Sequence, residues 1–143
     1  AAVMHVPTGL FVQGDWMRNT STAGATFAYA GERDATRWIV QGGIAQNFFG
    51  IGRTSIYGEY GRADDWIYAK GGFVSATNGG NFAQNVTGDS VRWWGLGIVQ
   101  TIDAAAMDLY LGYRNFSAEI PVDADSRNLS DIDVVTAGAR IRF

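Results

Sequence analysis

The sequence predicts an all-β fold of antiparallel strands, and three observations carry that expectation. The first is composition: Gly supplies 19 of 143 residues and aromatics 13%, with 2 prolines and 17% charged residues. A disordered chain is rich in charge and poor in aromatics, and a helical bundle is dominated by Ala, Leu, Glu and Lys; this chain is neither. The second is a period-two alternation of apolar and polar residues in segments of about ten, the pattern of a strand with one apolar face. The third is an ordering of the connections, which alternate between short and long.

The alternation gives about six strands. The first sets Leu10, Val12, Gly14 and Trp16 against Phe11, Gln13 and Asp15. The second sets Trp38, Val40, Gly42, Ile44 and Phe48 against Arg37, Ile39, Gln41, Gly43 and Asn47. In the third, Thr54, Ile56, Gly58 and Tyr60 oppose Arg53, Ser55, Tyr57 and Glu59. In the fourth, Trp94, Leu96 and Ile98 oppose Trp93, Gly95 and Gly97. The fifth places Met107, Leu109, Leu111 and Tyr113 against Asp108, Tyr110, Gly112 and Arg114. The last places Val135, Ala137, Ala139, Ile141 and Phe143 against Thr136, Gly138, Arg140 and Arg142.

Two links are short, at 49–52 and 103–105, and three are long and polar, at roughly 19–35, 63–90 and 117–130. Short and long links alternate strictly. A soluble sandwich has no reason to sort its loops by end, whereas an outer-membrane barrel joins its strands by short periplasmic turns and long extracellular loops. The expected fold is therefore an antiparallel transmembrane β-barrel of outer-membrane type. Six strands do not close a barrel, since membrane barrels have about eight or more. The chain is expected to be part of a larger barrel, with a hairpin at 66–77, turning at Gly71-Gly72, as an alternative source of strands. Residues 1–143 read as one barrel domain or the C-terminal portion of one.

Alternation alone does not say whether the apolar face meets lipid or a soluble core. Three details lean toward lipid. The polar faces carry Gly, Ser, Thr, Gln, Asn and Tyr rather than Lys and Glu. Aromatics stand near strand ends on the apolar face (Trp16, Trp38, Phe48, Tyr60, Trp94, Tyr113, Phe143), as an interfacial girdle requires. The strands also have the length of about 9–11 residues that a tilted crossing needs. Charge fixes the register, because a one-residue slip of the third strand turns Arg53 and Glu59 into lipid. Near the midplane that costs about 2–4 kcal/mol for Arg and somewhat less for Glu. Arg92 alone falls on the outward parity and belongs at the girdle.

The closing segment, Asp133-Val134-Val135-Thr136-Ala137-Gly138-Ala139-Arg140-Ile141-Arg142-Phe143, resembles the last strand of bacterial outer-membrane barrels. In such strands a terminal Phe follows alternating apolar residues. The resemblance implies an assembly signal at Phe143, Ile141 and Ala139, read by the barrel-assembly machinery; Ala139 departs from it, since an aromatic is common there. The stretches Thr54-Ser55-Ile56-Tyr57-Gly58-Glu59-Tyr60-Gly61-Arg62 and Met107-Asp108-Leu109-Tyr110-Leu111-Gly112-Tyr113-Arg114 are similar to the C-terminal region of alphaproteobacterial porin-like proteins. That resemblance spans Trp38 to Phe143. It implies an outer-membrane channel, usually a homotrimer, that passes small hydrophilic solutes among outer-membrane lipids and lipopolysaccharide. It carries no catalytic residue.

The remaining chemistry is sparse. The net charge is −3 with one His and no Cys, so a basic nucleic-acid footprint, thiolate metal sites and Cys nucleophiles are excluded. No run reaches the 18 or so apolar residues of a membrane helix. The opening residues lack the basic region of a signal peptide, so an exported form has lost its signal or begins part-way through a longer chain. His5 is the one imidazole, and its expected place is an interfacial or tail position at the periplasmic end. Asp123-Ala124-Asp125 starts like a calcium loop, but Asn128 stands where the sharp-turn Gly belongs and Val134 where the bidentate Glu belongs. Together with Asp64-Asp65, Asp131 and Asp133 it reads as solvated acidic loop, and no metal, cofactor or catalytic residue is expected. Gly50-Ile51-Gly52-Arg53 is followed by a strand, not a helix, and reads as a turn rather than a phosphate loop.

The inward charges carry the functional reading. The pore-lining candidates are Arg37, Arg53, Tyr57, Glu59, Asp108, Tyr110, Arg114, Arg140 and Arg142, with Asp15 beside them. Rings of charge set the sign preference of a pore. These groups either give the wall a slight cationic preference or pair across strands and stiffen it. The expected function is passive diffusion of small hydrophilic solutes through an outer-membrane porin-type channel. Two alternatives stand: a plugged structural or adhesive barrel acting through its loops or a partner protein, and a soluble all-β binding domain.

Overall fold

The computed structural model describes residues 1–22, 32–66, 73–75, 83–85, 88–122 and 125–142. The strands are β1 (Ala2–His5), β2 (Leu10–Thr22), β3 (Glu32–Gln46), β4 (Thr54–Asp64), β5 (Phe73–Ser75), β6 (Ala83–Asn85), β7 (Ser90–Ile102), β8 (Met107–Val122), β9 (Asp125–Asn128) and β10 (Ile132–Ile141). One open antiparallel sheet runs β1-β2-β3-β4-β7-β8-β10, with β9 paired to the far end of β8. A separate two-stranded ladder joins β5 to β6. No α-helix occurs among the described residues. The chain is all-β; its sheet is open, with β1 and β10 as edges.

The main sheet has seven strands along its path, not six. The additional strand, β1, pairs Ala2 with Gln13 through His5 with Leu10. Four residues are too few to display a period, so the strand is made by the turn that follows it rather than by its own pattern. That turn folds back through the His5 carbonyl, which accepts the Gly9 amide at 2.9 Å. Gly9 takes φ +70, where a side chain would also meet the Ala45 carbonyl oxygen, so only glycine fits. His5 is thus a strand residue with its Nδ1 2.8 Å from the Thr8 hydroxyl oxygen, not part of a tail.

The strands also outrun the expected length: β3 has 15 residues and β8 has 16. The expected long links at 19–35 and 117–130 shrink accordingly, since β2 reaches Thr22 and β8 reaches Val122 to meet β9. Above the apolar band both faces of a strand are polar, so the alternation fades while the backbone ladder continues. The link at 49–52 lengthens to the stretch between Gln46 and Thr54, which removes Phe48 and Arg53 from the strands they were assigned to. Arg53 stands immediately before β4, with its carbonyl accepting the Thr101 amide at 2.8 Å. The link at 103–105 is a single 3-10 turn closed by Ala106 in the left-handed region at φ 46.

The hairpin expected at 66–77 lies largely outside the described residues. Phe73–Ser75 pairs with Ala83–Asn85, while residues 67–72, with the proposed turn at Gly71-Gly72, lie outside the described residues. At the base of this long link Asp65 (φ 54) donates its amide to the Asp89 carbonyl at 2.8 Å, and the Trp66 amide reaches the Asp89 carboxylate at 3.3 Å.

The sheet is a single layer. The buried hydrophobic side chains among the described residues are Ala35 and Ala63 alone. Leu10, Val12, Val40, Ile56, Leu96, Leu111 and Val135 are exposed, Leu96 at 60% and Val135 at 70%. Direct pairing puts them on one face: Leu10 opposite Ile44, Ile44 opposite Ile56, Ile56 opposite Ile98, Ile98 opposite Leu111. Folding has therefore sorted the side chains by face without burying the apolar set in this chain.

Candidate functional site

The opposite face carries the polar and ionic residues, and glycines decide how they meet. Glu59 on β4 and Arg114 on β8 both stand opposite Gly95 of β7, the strand between them. Their side chains cross above it, and Arg114 donates from Nε and Nη2 to the two Glu59 carboxylate oxygens. A Cβ at position 95 would lie 2.9 Å from Arg114 Cγ and 3.3 Å from Glu59 Cγ, so the ion pair depends on that glycine. The Glu59 side chain is 3% exposed, whereas Arg114 stays half in solvent.

A second ionic cluster forms toward the short-turn end. Asp108 stands opposite Arg140 of β10 on one side and Thr101 of β7 on the other. It accepts from Arg140 Nη2 at 2.6 Å, Arg142 Nη2 at 3.1 Å and the Thr101 hydroxyl at 2.8 Å. A third pair, Asp15 with Arg37, is longer at 3.5 Å. Between Asp15 and Glu59 on this face, Gln13 donates its side-chain amide to Gln41.

Three aromatic rings lie across glycines directly opposite them on the neighbouring strand: Tyr57 over Gly97, Trp93 over Gly61 and Tyr110 over Gly138. A Cβ at these glycines would lie 2.4 Å from Tyr57 Cζ, 2.2 Å from Trp93 Cζ2 and 2.6 Å from Tyr110 Cζ. The flat rings shield backbone that the glycines leave bare, and the face stays low in profile.

The pore-lining candidates thus share one face, except for Arg53. Arg37, Glu59, Asp108, Arg114, Arg140 and Arg142 are engaged in ion pairs, and Tyr57 and Tyr110 lie over glycine. Arg53 sits beside the turn and makes no ion pair among the described residues. Ala139 and Ile141 lie on the apolar face of β10, opposite Leu109 and Met107; Phe143 falls outside the described residues. Asp123 lies outside them as well, and among the described residues no three acidic or His side chains converge as a metal-holding group.

The apolar face has its own order. Trp16, Trp38, Tyr60, Trp94 and Tyr113 form a stripe across β2, β3, β4, β7 and β8, with ring centroids 5.6 Å apart for Trp38 and Tyr60 and 5.3 Å for Trp94 and Tyr113. On the long-link side of that stripe lies a band of polar pairs: Arg18 with Asp34, Arg62 with Asp64, Arg92 with Glu119, and Asn115 with Asp133. Arg92 is in that band, beside the girdle. The sequence located the aromatic stripe but missed the ring-over-glycine pairs and the role of Gly95. The signal for Gly95 was present: once the turn is taken as 103–106, between Ile102 and Met107, counting outward along β7 and β8 sets Gly95 opposite Arg114. Comparison with protein families, with curated proteins and with solved structures finds no match.

Proposed function

We propose that this chain forms part of the wall of a bacterial outer-membrane channel that passes small hydrophilic solutes by diffusion. One observation carries the reading. A single-layered sheet leaves most of its apolar face exposed, edges it with a continuous aromatic stripe and then a polar band, and gathers much of its charge in pairs on the other face. A soluble domain needs a second layer over such a face, because large contiguous apolar patches are not left in water. Lipid needs none, and aromatics at the boundary and charges beyond it follow the depth profile of a bilayer.

On this reading the apolar band contacts lipid tails, and the band of Arg18, Arg62 and Arg92 lies at the depth of lipopolysaccharide headgroups. β10 is the strand offered to the assembly machinery, and association into a trimer uses the same apolar face. Closing the barrel takes more strands than these. β1 and β10 run in the same direction, so an antiparallel closure takes an odd number of further strands and gives an even total.

The test is extraction from membranes followed by planar-bilayer recording. The channel reading expects a species that needs detergent and gives steady conductance, with its ion preference altered by replacing Arg53, a cation that makes no ion pair among the described residues. Solubility without detergent overturns the membrane assignment and leaves the soluble binding domain. The pairing of the inner charges also favours a plugged barrel acting through its loops; detergent dependence with no conductance selects that reading.

A further inference from the structure

The apolar face is bounded by polar side chains at both ends, and the two boundaries differ in kind. Toward the long links they are charged: Arg18 with Asp34, Arg62 with Asp64, Arg92 with Glu119. Toward the short links they are Gln46, Thr54 and Gln100, in direct register, the next side chains on that face beyond Ile44, Ile56 and Ile98. This uncharged row is closed on the protein. The Thr54 hydroxyl donates to Gln100 Oε1 at 2.6 Å, Gln100 Nε2 to the Thr101 carbonyl at 2.7 Å, and Gln46 Nε2 to the Thr8 carbonyl. Thr54 is 1% exposed. Water would satisfy such groups without protein partners; a site removed from water requires the partners.

Beyond the row the chain turns apolar again. The link Asn47-Phe48-Phe49-Gly50-Ile51-Gly52-Arg53 exposes both phenylalanines and Ile51, with Phe49 at 69%, and the turn before β2 exposes Val6 at 81%. Nothing lies within 4 Å of where a Cβ on Gly50 would stand, so the tip is clear of the sheet. It is nonetheless tied down, because the Ile51 carbonyl accepts the Asp103 amide at 3.0 Å.

Depth supplies a second argument. At about 3.3 Å per residue and a strand tilt of about 40°, the six positions from Tyr60 to Thr54 descend about 15 Å, and the eight from Trp38 to Gln46 about 20 Å. The lipid-facing band of a membrane barrel is about 25 Å tall. A band that ends at the row is therefore short. Carried on to the turn, the ten positions from Trp38 to Phe48 span up to about 25 Å, and the nine from Tyr60 to Ile51 up to about 23 Å.

We propose that residues 47–53 are a lipid anchor: Phe48, Phe49 and Ile51 insert at the headgroup boundary of the leaflet on the short-link side, and the row of Gln46, Thr54 and Gln100 lies within the membrane. Arg53 and Asp103 flank the tip and hold it at the boundary, since charge belongs with headgroups and water. The inference rests on the membrane reading of the apolar face and adds to it where the membrane ends: beyond the short turn, not at the polar row before it.

The chain has no cysteine, so a single one carries a unique probe. The experiment labels Phe49→Cys with nitrobenzoxadiazole in the full chain, reconstituted into phosphatidylcholine vesicles that contain a phospholipid with a nitroxide near its headgroup. Leu96→Cys on the apolar band and Thr136→Cys on the ionic face are the references, and circular dichroism checks that each variant is folded. The label at 49 should lose as large a share of its intensity to the nitroxide as the label at 96, and several times the share lost at 136. Its emission should also shift to the blue, and aqueous iodide should quench it little. Ile51→Cys repeats the measurement at the other side of the tip if Phe49→Cys does not fold. Nitroxide quenching at 96 but not at 49 or 51, with iodide reaching the tip, overturns the anchor and leaves the membrane reading standing. Quenching at none of these positions overturns both.

Discussion

The two faces of this sheet solve opposite problems with the same backbone. On the ionic face Glu59, Asp108, Arg114 and Arg140 meet partners across the strands, and glycines are placed where a side chain or a ring must pass. On the apolar face the side chains are exposed and their partners are mostly one another at the aromatic stripe. The difference teaches where the stability of such a sheet resides. With two alanines as the buried hydrophobic side chains among the described residues, these strands draw on the backbone ladder and on the inner pairs, and on the proposed reading also on the lipid over the apolar face.

The sharpest way to break that comparison is to put one charge on each face. Leu96→Arg places a cation in the middle of the apolar band. On the channel reading it costs about 2–4 kcal/mol and lowers the fraction folded in phospholipid vesicles. Thr136→Arg on the ionic face should leave that fraction unchanged. If both variants fold equally well in vesicles, the apolar face does not meet lipid.

Adjacent glycines supply the next test. Gly43 is on the ionic face, where a Cβ would lie 2.2 Å from the Ile56 carbonyl oxygen and 2.8 Å from Tyr57 Cα. Gly42, its neighbour on the apolar face, has nothing closer than the Phe11 oxygen at 3.6 Å. Gly43→Ala is expected to destabilise by about 1–3 kcal/mol, because backbone has to move. Gly42→Ala should be neutral or stabilising by about 0.4–1 kcal/mol, through the entropy lost by the unfolded chain. Urea unfolding of the two variants side by side measures the contrast, and equal midpoints would contradict it.

Smaller effects follow for the paired groups. Glu59→Gln leaves Arg114 without its carboxylate, and because that guanidinium is half in solvent the loss is about 1–2 kcal/mol by the same unfolding assay. Trp94→Ala removes one ring of the stripe and its edge contact with Tyr113, worth about 0.5–1.5 kcal/mol beyond area burial. If the stripe marks an interface, this variant also loses its blue-shifted tryptophan emission in vesicles but not in lipid-free detergent.

Much of this architecture was legible residue by residue. The parity of Trp38, Val40 and Ile44, and of Leu109, Leu111 and Tyr113, follows from period two alone, and it placed Arg37, Glu59, Asp108, Arg114 and Arg140 together on the other face. The short links also emerged at one end. What did not show were features with no alternation to read: the four residues of β1, the polar extensions of β2, β3 and β8, and the pairing of Phe73–Ser75 with Ala83–Asn85.

The sequence by itself determined which face each strand residue takes, because successive side chains on an extended backbone point to opposite sides whatever the strand pairs with. Only the tertiary structure decided which residues meet. Glu59 and Arg114 are 55 positions apart, and their contact exists because three strands and two connections bring both of them opposite Gly95. Pairing of that kind depends on register, register depends on the exact geometry of the connections, and a connection such as the Gly9 turn is set by contacts with Ala45 far along the chain.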